Sequence, residues 1–318
     1  MEKRKIPEQK PEFKERMQEL LGKEYNAYCK ILETQPVKSI RCNTLKISPR
    51  ELKKKLEEKG WKIIQPWKNH PEIMIIDSAL EPGEIGRALE HLLGYYYMQE
   101  LASMLPPIAL SPKENQKILD LAAAPGSKTT QLAAIMKNTG TIIANDISVG
   151  RIKILASNLE RIGATNTIIT RKDGIAFCKR LKNQGFQFDK ILVDAPCSGE
   201  GTLRSSHKTY EMWNIKTVKA LPKIQIALVS AALEILKAGG ALIYSTCTHS
   251  PEENEGVVDS ILKTHDVSLQ EIKIPIKARP GITEWQGKKY SKEVTKCARI
   301  YPQDNNTEGF FLSKFIKK

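Results

Sequence analysis

Strands and helices are predicted to alternate along the chain from Gln116 onward, and this alternation constrains the fold more than any other feature of the sequence. The predicted strands are short apolar segments at residues 118–121, 141–144, 167–170, 188–193 and 241–244. Segments with helical spacing of apolar residues separate most of them. This order predicts an α/β domain with a parallel sheet, whose ligands bind beyond the carboxyl ends of the strands.

The turn after the first strand consists of small residues and leads into a helix. Its residues are Ala122, Ala123, Ala124, Pro125, Gly126, Ser127 and Lys128. Backbone N–H groups at such a helix N-terminus can face a bound ligand. A P-loop needs glycine where Ala122 and Ser127 stand, and a dinucleotide-binding turn needs three glycines where this one has a single glycine. Nucleotide hydrolysis and NAD binding are therefore both disfavoured.

Acidic residues follow the next three strands. Asp146 follows the second, where a doubly wound nucleotide-binding sheet places a carboxylate on ribose hydroxyls. Asp173 follows the third strand and Asp194 the fourth. A single Asp after a strand is usually a loop residue or a helix N-cap. Three at successive strand ends predict a ligand site that suits an adenosine cofactor.

Two of the six cysteines follow neighbouring predicted strands. Cys197 lies in the segment DAPCSGEGT and Cys247 in YSTCT, so polar residues flank both. An isolated cysteine is usually a small buried hydrophobe, but these flanks fit loops that line a site. The sequence has no C-x₂-C pair of the kind that structural zinc sites use, so no metal is expected.

The charge balance favours a polyanionic partner. Fifty Lys and Arg against 36 Asp and Glu give a formal net charge of +14, which attracts nucleic acid. The alternative is that a Lys- and Glu-rich composition only adds solubility or heat stability. The charged start has no secretory signal and no apolar run is long enough to cross a membrane, so we expect a cytoplasmic protein with free thiols.

The first third of the chain has a different pattern. Residues up to about Pro36 have helical spacing, and residues 37–77 read as a β-α-β-β module that could contact a ligand. Residues 88–107 look helical. Tyr95, Tyr96 and Tyr97 lie within that segment and could stack on bases, or they could belong to the core. We therefore divide the chain into residues 1–94, a helical segment with a small α+β module, and residues 95–318, a catalytic domain.

Several motifs together resemble one known family. In chain order they are ASMLPP, preceded by YMQE, and then LDLAAAPGSKTTQLA, AND, KDG, DAPCSGEGT and YSTCT. These resemble the motifs of the RNA 5-methylcytosine methyltransferases of the NOL1/NOP2/Sun (RsmB-like) type, most like the archaeal tRNA-modifying members. RCNTL near the start and RIYP with EGFF near the end extend the resemblance over nearly the whole chain. Ala122, Ser127 and Gln303 depart from residues frequent in the family, and none of them touches the presumed chemistry.

The resemblance implies a Rossmann-like class I fold that uses S-adenosylmethionine, with an RRM-like module that binds RNA. It implies methyl transfer to carbon 5 of a cytosine in RNA, with tRNA as the expected substrate. Cys247 would attack carbon 6 of the ring, Cys197 would assist release of the product, and Asp194 would hydrogen-bond the ring. Lys128 would supply positive potential for a thiolate. Chemistry alone leaves the two cysteine roles interchangeable, since in DNA methyltransferases the Pro-Cys residue attacks.

For the cofactor, the resemblance places the turn at residues 122–128 around the methionine and ribose. Asp146 would bind the ribose, Arg151 and Asp194 would line the same pocket, and Asp173 would lie near the adenine. Three alternatives stay open: an rRNA substrate, a non-catalytic RNA-binding or assembly factor on the same fold, and a dehydrogenase. Neither DNA nor a membrane is an expected partner, and a monomer is compatible with the sequence.

Overall fold

The computed structural model describes residues 8–318, so the first seven residues of the predicted 1–94 segment lie outside the described residues. Two helices come first, α1 (Pro11–Leu21) and α2 (Tyr25–Leu32), as the helical spacing predicts. Phe13 and Tyr28 are buried there in one apolar cluster with Trp213 and Tyr301, which come from much later in the chain. The amino-terminal helices are therefore packed against the rest of the protein.

A small α+β module follows. Its elements are β1 (Ser39–Cys42), α3 (Pro49–Glu58), β2 (Ile63–Ile64), β3 (Ile73–Ile76), α4 (Glu84–Arg87), α5 (Leu89–Leu92) and β4 (Tyr96–Met98). Ser48 and Glu51 form a reciprocal capping box at the start of α3, which fixes the first residue of that helix. The four strands form an antiparallel sheet in the order β2-β3-β1-β4. The predicted β-α-β-β run is thus present, with a further strand added.

That further strand corrects the helix predicted over residues 88–107. Gly94 has a left-handed backbone (φ +71°) after α5, and β4 then pairs antiparallel with β1. Tyr96 is fully buried and donates a hydrogen bond to the Ile85 carbonyl, while Tyr97 is buried between Arg41 and Arg161. Aromatic residues favour such a half-buried pleated surface. Tyr96 and Tyr97 are therefore core residues and are not available to stack on bases.

The rest of the chain forms the large α/β layer. Its elements are α6 (Leu105–Leu110), β5 (Lys117–Asp120), α7 (Ser127–Ile135), β6 (Thr141–Asp146), α8 (Val149–Ile162), β7 (Thr167–Arg171), α9 (Gly174–Asn183), β8 (Phe188–Asp194), α10 (His207–Met212), α11 (Ile215–Glu234), β9 (Leu236–Thr246), α12 (Glu255–Thr264), β10 (Val267–Leu269), β11 (Arg279–Pro280), β12 (Glu284–Trp285), β13 (Lys288–Lys289), β14 (Ala298–Ile300), α13 (Pro302–Asn305) and β15 (Phe310–Lys317).

Most of these strands join one sheet in the order β11-β14-β15-β9-β8-β5-β6-β7, with β10 beside β15. The strands from β9 to β7 are parallel, and β15 is antiparallel to β9. Adjacent residues of one strand face opposite sides: Leu119 joins an apolar cluster with α9, α11 and α12, and Ile118 joins one with α6, α7 and α8. The Rossmann-like methyltransferase fold that the resemblance implies is confirmed.

The strand order reverses at β5, which pairs with β6 on one side and β8 on the other. In open α/β sheets, ligands bind beyond the carboxyl ends of the strands at such a switch point. The loops that follow β5, β6, β7, β8 and β9 are therefore the place to look for a site. In residues 8–318, no helix combines the length and the apolar character needed to cross a membrane.

Candidate active site

A cavity of about 370 Å³ lies at these strand ends. The predicted residues that line it are Ala122, Asp146, Arg151, Asp173, Asp194, Cys197 and Cys247. The cavity also has an apolar wall that was not predicted from the sequence; it includes Ile147, Ile175, Ile224 and Leu228. Two of these residues, Ile224 and Leu228, lie on α11, and a search limited to the residues that follow strands does not include a helix. The cavity therefore combines carboxylates on one side with a surface that suits a flat apolar ring.

The carboxylate of Asp146 is buried and held by its neighbours. It accepts hydrogen bonds from the backbone N–H groups of Ser148 (2.9 Å) and Ala124 (3.3 Å), and it pairs with the Arg151 guanidinium at 3.2 Å. Asp173 lines the same cavity but also caps α9, where it accepts from the Ala176 N–H at 2.9 Å. Asp173 thus has the ordinary N-cap role as well as a place in the cavity wall.

Asn145 is a cavity residue to which the sequence analysis gave no role. Its side-chain amide donates to the carbonyls of Leu121 and Lys172 (3.2 and 3.0 Å), and its oxygen accepts from the Lys172 N–H at 3.1 Å. It therefore ties together the loops after β5 and β7. The sequence signal that could have identified Asn145 is its position beside Asp146 in the AND motif.

The predicted turn is only partly at the cavity. Ala122 lines it, whereas residues 123–127 do not, and Lys128 lines a second cavity instead. Gly126 has φ +103°, and a Cβ there would come within 2.9 Å of the Leu155 side chain. The positive φ, which residues with a Cβ rarely adopt, explains why the turn needs glycine at that position. The contribution of residues 123–128 to cofactor binding stays a prediction.

The two cysteines meet, as their strand-end positions predict. The Sγ atoms of Cys197 and Cys247 are 3.2 Å apart, and both residues are partly exposed to the cavity. The hydrogen bond with Cys247 and then burial raise the pKa of the Cys197 thiol well above its usual range. Cys197 is therefore a protonated thiol at neutral pH, and it can donate an S–H hydrogen bond to its neighbour.

Lys128 and Asp194 form a polar chain beside the cysteines. The Lys128 ammonium donates to Asp194 Oδ2 at 2.7 Å and to Ser103 Oγ at 3.1 Å, while the Ser245 hydroxyl donates to Asp194 Oδ1 at 2.7 Å. Burial lowers the pKa of Lys128, but the Asp194 carboxylate outweighs it, so the pKa is raised overall. Lys128 is thus a buried, permanently charged ammonium next to the Asp194 carboxylate.

A second cavity, of about 470 Å³, opens on the other side of these residues. It shares Asp194 and Cys247 with the first cavity. Its wall also includes Lys38, Ser39 and Met98 of the small module, together with Ser103, Lys128, Glu308 and Phe310. Lys128 Nζ lies 5.5 Å from the centre of the Phe310 ring. If one molecule were bound in each cavity, the two molecules would therefore come closest to each other beside Cys247 and Asp194.

The motif RCNTL joins the small module to the large sheet. Arg41 is buried and donates to the Ser127 carbonyl and the Thr130 hydroxyl, both at 2.8 Å, at the start of α7. Asn43 donates to the carbonyls of Gly94 (2.8 Å) and Ile162 (2.7 Å). These residues hold the module beside the site, and neither Arg41 nor Asn43 lines either cavity.

Comparison with known proteins agrees with this architecture. The family model described as 16S rRNA methyltransferase RsmB/F matches residues 107–316, and the one described as the N-terminal domain of 16S rRNA methyltransferase RsmF matches residues 10–101. Among solved structures, a methyltransferase homolog from Pyrococcus horikoshii has a TM-score of 0.84 at 35% identity and covers 96% of this chain and 94% of its own. NSun6 from Pyrococcus horikoshii with SFG has a TM-score of 0.83 at 28% identity and covers 97% and 98%.

Two curated relatives differ in how much of them this chain spans. The tRNA (cytosine(49)-C(5))-methyltransferase of Pyrococcus abyssi is 45% identical over 88% of each chain. The ribosomal RNA small subunit methyltransferase F of Shewanella oneidensis is 40% identical over 88% of this chain, but the match spans only 57% of that relative. With a family model over most of its length and a full-length relative at 45% identity, the chain belongs to the RsmB/F family of methyltransferases.

Proposed function

We propose that the protein transfers a methyl group from S-adenosylmethionine to carbon 5 of a cytosine in RNA, with tRNA as the substrate. The observation that carries this proposal is the pair of cysteines 3.2 Å apart at the point where the two cavities meet. A nucleophilic thiolate is the reagent that the chemistry needs, because carbon 5 of cytosine is activated only by covalent addition at carbon 6.

The residues of the first cavity suit S-adenosylmethionine. A buried carboxylate at Asp146 suits ribose hydroxyls, and the apolar side chains of Ile147, Ile175 and Leu228 suit an adenine ring. We propose that Ala122, Asp146, Arg151, Asp173 and Asp194 hold it there. When bound, S-adenosylmethionine supplies an electrophilic methyl group.

Cys247 is proposed as the nucleophile. Its thiolate would add to carbon 6, and the electron pair of the ring double bond would move to carbon 5. Carbon 5 would then form a bond to the methyl carbon as the sulfur–methyl bond breaks, its electron pair stays on sulfur, and S-adenosylhomocysteine leaves. Asp194 lines both cavities, which supports a role in hydrogen-bonding the ring as charge builds. Lys128 and Ser245 hold that carboxylate in place.

Cys197 is proposed to assist the release of the product. The proton on carbon 5 passes to water, its electron pair restores the ring double bond, and the bond from carbon 6 to sulfur breaks with its pair returning to Cys247. The Cys197 thiol, 3.2 Å away, can donate a hydrogen bond to the departing thiolate. Its raised pKa supports this role, because the thiol keeps its proton at neutral pH.

The second cavity is proposed to receive an unpaired or flipped-out cytosine, since a stacked base cannot reach such a pocket. Residues of the small module line the same cavity, which supports a role for this module in holding the flanking RNA. The Pyrococcus abyssi relative, matched over 88% of its length, favours tRNA. An rRNA cytosine is the second candidate, because the shorter match to the Shewanella oneidensis protein still reaches 40% identity. Either substrate implies action in the cytoplasm.

The deciding experiment offers both substrates to the purified protein. We would incubate it with methyl-tritiated S-adenosylmethionine and equal amounts of unmodified tRNA and small-subunit rRNA, and then map the product by bisulfite sequencing. Label at a cytosine of tRNA supports the proposal, and label only in rRNA supports the second candidate. No transfer to either RNA would leave the non-catalytic alternative.

Ligand binding should stabilise the fold through Asp146. We expect S-adenosylmethionine at a hundredfold excess over its dissociation constant to add about 2.7 kcal/mol to the free energy of unfolding. Asp146→Asn should reduce this gain, because it removes the carboxylate that faces the ribose. Thermal melting with and without ligand measures the effect. Asp266→Asn, at an exposed carboxylate far along the chain, is the control, and an equal gain in both variants would disprove the site.

RNA affinity should depend steeply on salt. Each phosphate that Lys or Arg neutralises releases counterions, so the logarithm of the binding constant should fall linearly with the logarithm of salt concentration. The +14 net charge motivates this expectation. Filter binding of tRNA from low to physiological salt measures the slope, with sodium chloride and potassium glutamate compared. A flat profile would contradict the electrostatic argument.

A further inference from the structure

Two buried side chains, Gln225 and Glu253, hydrogen-bond to the backbone on both sides of Cys197. We call this pair the clamp. Glu253 Oε2 accepts from the Ser198 N–H at 3.0 Å, directly after the cysteine. The Gln225 amide donates to the Pro196 carbonyl at 2.9 Å, directly before it. The same Gln225 nitrogen donates to Glu253 Oε2 at 2.9 Å, so the two side chains form one unit.

The two side chains of the clamp are buried, and they come from outside the loop that carries Cys197. Gln225 lies on α11 and Glu253 in the loop before α12, and both are fully shielded from solvent. The Tyr244 hydroxyl donates to the Glu253 carbonyl at 2.5 Å, which fixes the backbone that carries the carboxylate. Neither Gln225 nor Glu253 lines a cavity, so neither is placed to touch substrate or cofactor.

The backbone around Cys247 has anchors of its own. Thr246, directly before Cys247, pairs with Phe311 in the sheet and donates to Asn254 Oδ1 at 2.6 Å, and the Asn254 amide donates to the Thr248 carbonyl at 3.0 Å. The two cysteine-bearing segments also touch, since the Gly201 N–H donates to the Cys247 carbonyl at 2.9 Å. Breaking the clamp would therefore loosen the backbone at Cys197 most directly, while Cys247 keeps its sheet pairing and its bonds through Asn254. The two steps of the reaction would respond differently, since attack needs only Cys247.

We propose that Gln225 and Glu253 are positioning residues that hold the Cys197 thiol against Cys247 and thereby set the rate of product release. This inference rests on the proposed function, in which Cys197 acts after methyl transfer. In this proposal the carboxylate of Glu253 accepts a hydrogen bond from the Ser198 N–H and is not an acid or base in the reaction.

The test separates adduct formation from adduct release. Each protein is mixed in excess with substrate tRNA and labelled S-adenosylmethionine, quenched over time and run on a denaturing gel that resolves the protein–RNA adduct from free methylated RNA. Glu253→Ala and Gln225→Leu should form the adduct at a rate close to that of the unmodified protein. They should release it about 10- to 100-fold more slowly, because a misplacement of about 1 Å at a reacting group can cost about 10²-fold.

Three further variants serve as controls. Glu253→Gln should restore release, because its amide oxygen can still accept from the Ser198 N–H. Glu252→Ala, the neighbouring carboxylate that pairs with Arg16, should behave like the unmodified protein. Cys197→Ala provides the reference for a trapped adduct, so if it traps nothing the proposed function has failed rather than the clamp.

The inference is overturned if folded Glu253→Ala and Gln225→Leu proteins release methylated RNA at the rate of the unmodified protein. It is also overturned if adduct formation and RNA release are slowed by the same factor. Thermal melting establishes that the variants are folded. Should Glu253→Ala fail to fold, Gln225→Leu decides alone, since the loss of an amide on α11 leaves the Glu253 contact with Ser198 intact.

Discussion

The Cys197→Ala protein should accumulate a covalent complex with its RNA. If Cys247 attacks carbon 6 and Cys197 only assists the later release, this variant still bonds to the ring and transfers the methyl group. The departing Cys247 sulfur then loses the thiol that lies 3.2 Å from it. A complex that survives denaturing electrophoresis, carries the methyl label and disappears when RNase is added is the expected result.

The Cys247→Ala protein is the matching control for this trap. Removal of the nucleophile closes the route to the activated ring, so methylation should vanish while RNA and S-adenosylmethionine binding persist. The double variant should form no adduct, because the trap requires Cys247. If Cys247→Ala traps the RNA instead, the two roles are reversed. If neither substitution affects methylation, the proposed function is wrong.

Much of the large domain was predictable because its chemistry lies at the strand ends. The inner strands of the parallel sheet are largely buried on both faces, so they stand out as apolar runs in the sequence, and the switch point brings the residues that follow them together. Asp146, Asp194, Cys197 and Cys247 were all predicted as candidate site residues in this way, and all four line the first cavity.

The residues that were missed contribute through contacts distant in sequence. Gln225 and Leu228 lie on α11, whose helical pattern gives no sign that one face reaches the loop after β8. Ser103 lies in the segment before α6, and nothing in its sequence neighbourhood predicts its contact with Lys128. Such contacts depend on how layers pack, and local patterns do not encode them.

Strand β4, which contains Tyr96, was mispredicted as helix because its local sequence is ambiguous. Its apolar and aromatic residues fit helix and strand patterns equally well over a short run. Pairing with β1 decides between them, and that partner lies more than fifty residues earlier in the chain. A left-handed Gly94 was the local sign that the helix ends before the tyrosines.

Arg299→Met should be the most destabilising single change among those considered. Arg299 and Glu255 are both buried and joined by two hydrogen bonds, Nε to Oε1 at 2.6 Å and Nη2 to Oε2 at 2.5 Å. Arg299 also donates to the carbonyl of His249 at 2.9 Å, two residues after Cys247. Removing the guanidinium leaves the Glu255 carboxylate buried and uncompensated, which costs about 3–5 kcal/mol. Urea unfolding followed by circular dichroism measures the loss.

Two comparisons separate the buried charge from a simple loss of contacts. Lys62→Met breaks an ion pair with Asp77 whose side chains are 70% and 50% exposed, and it should change stability by about 0–1 kcal/mol. The double variant Arg299→Met/Glu255→Met removes both charges and should be more stable than Arg299→Met alone, since an apolar pair of similar volume needs no compensation. Equal unfolding midpoints for Arg299→Met and Lys62→Met would show that the buried pair contributes no more to stability than the exposed pair. A double variant no more stable than Arg299→Met would instead assign the loss to the other hydrogen bonds of the pair, which Arg299 makes with the His249 carbonyl and the Tyr301 hydroxyl and Glu255 with the Ile282 N–H.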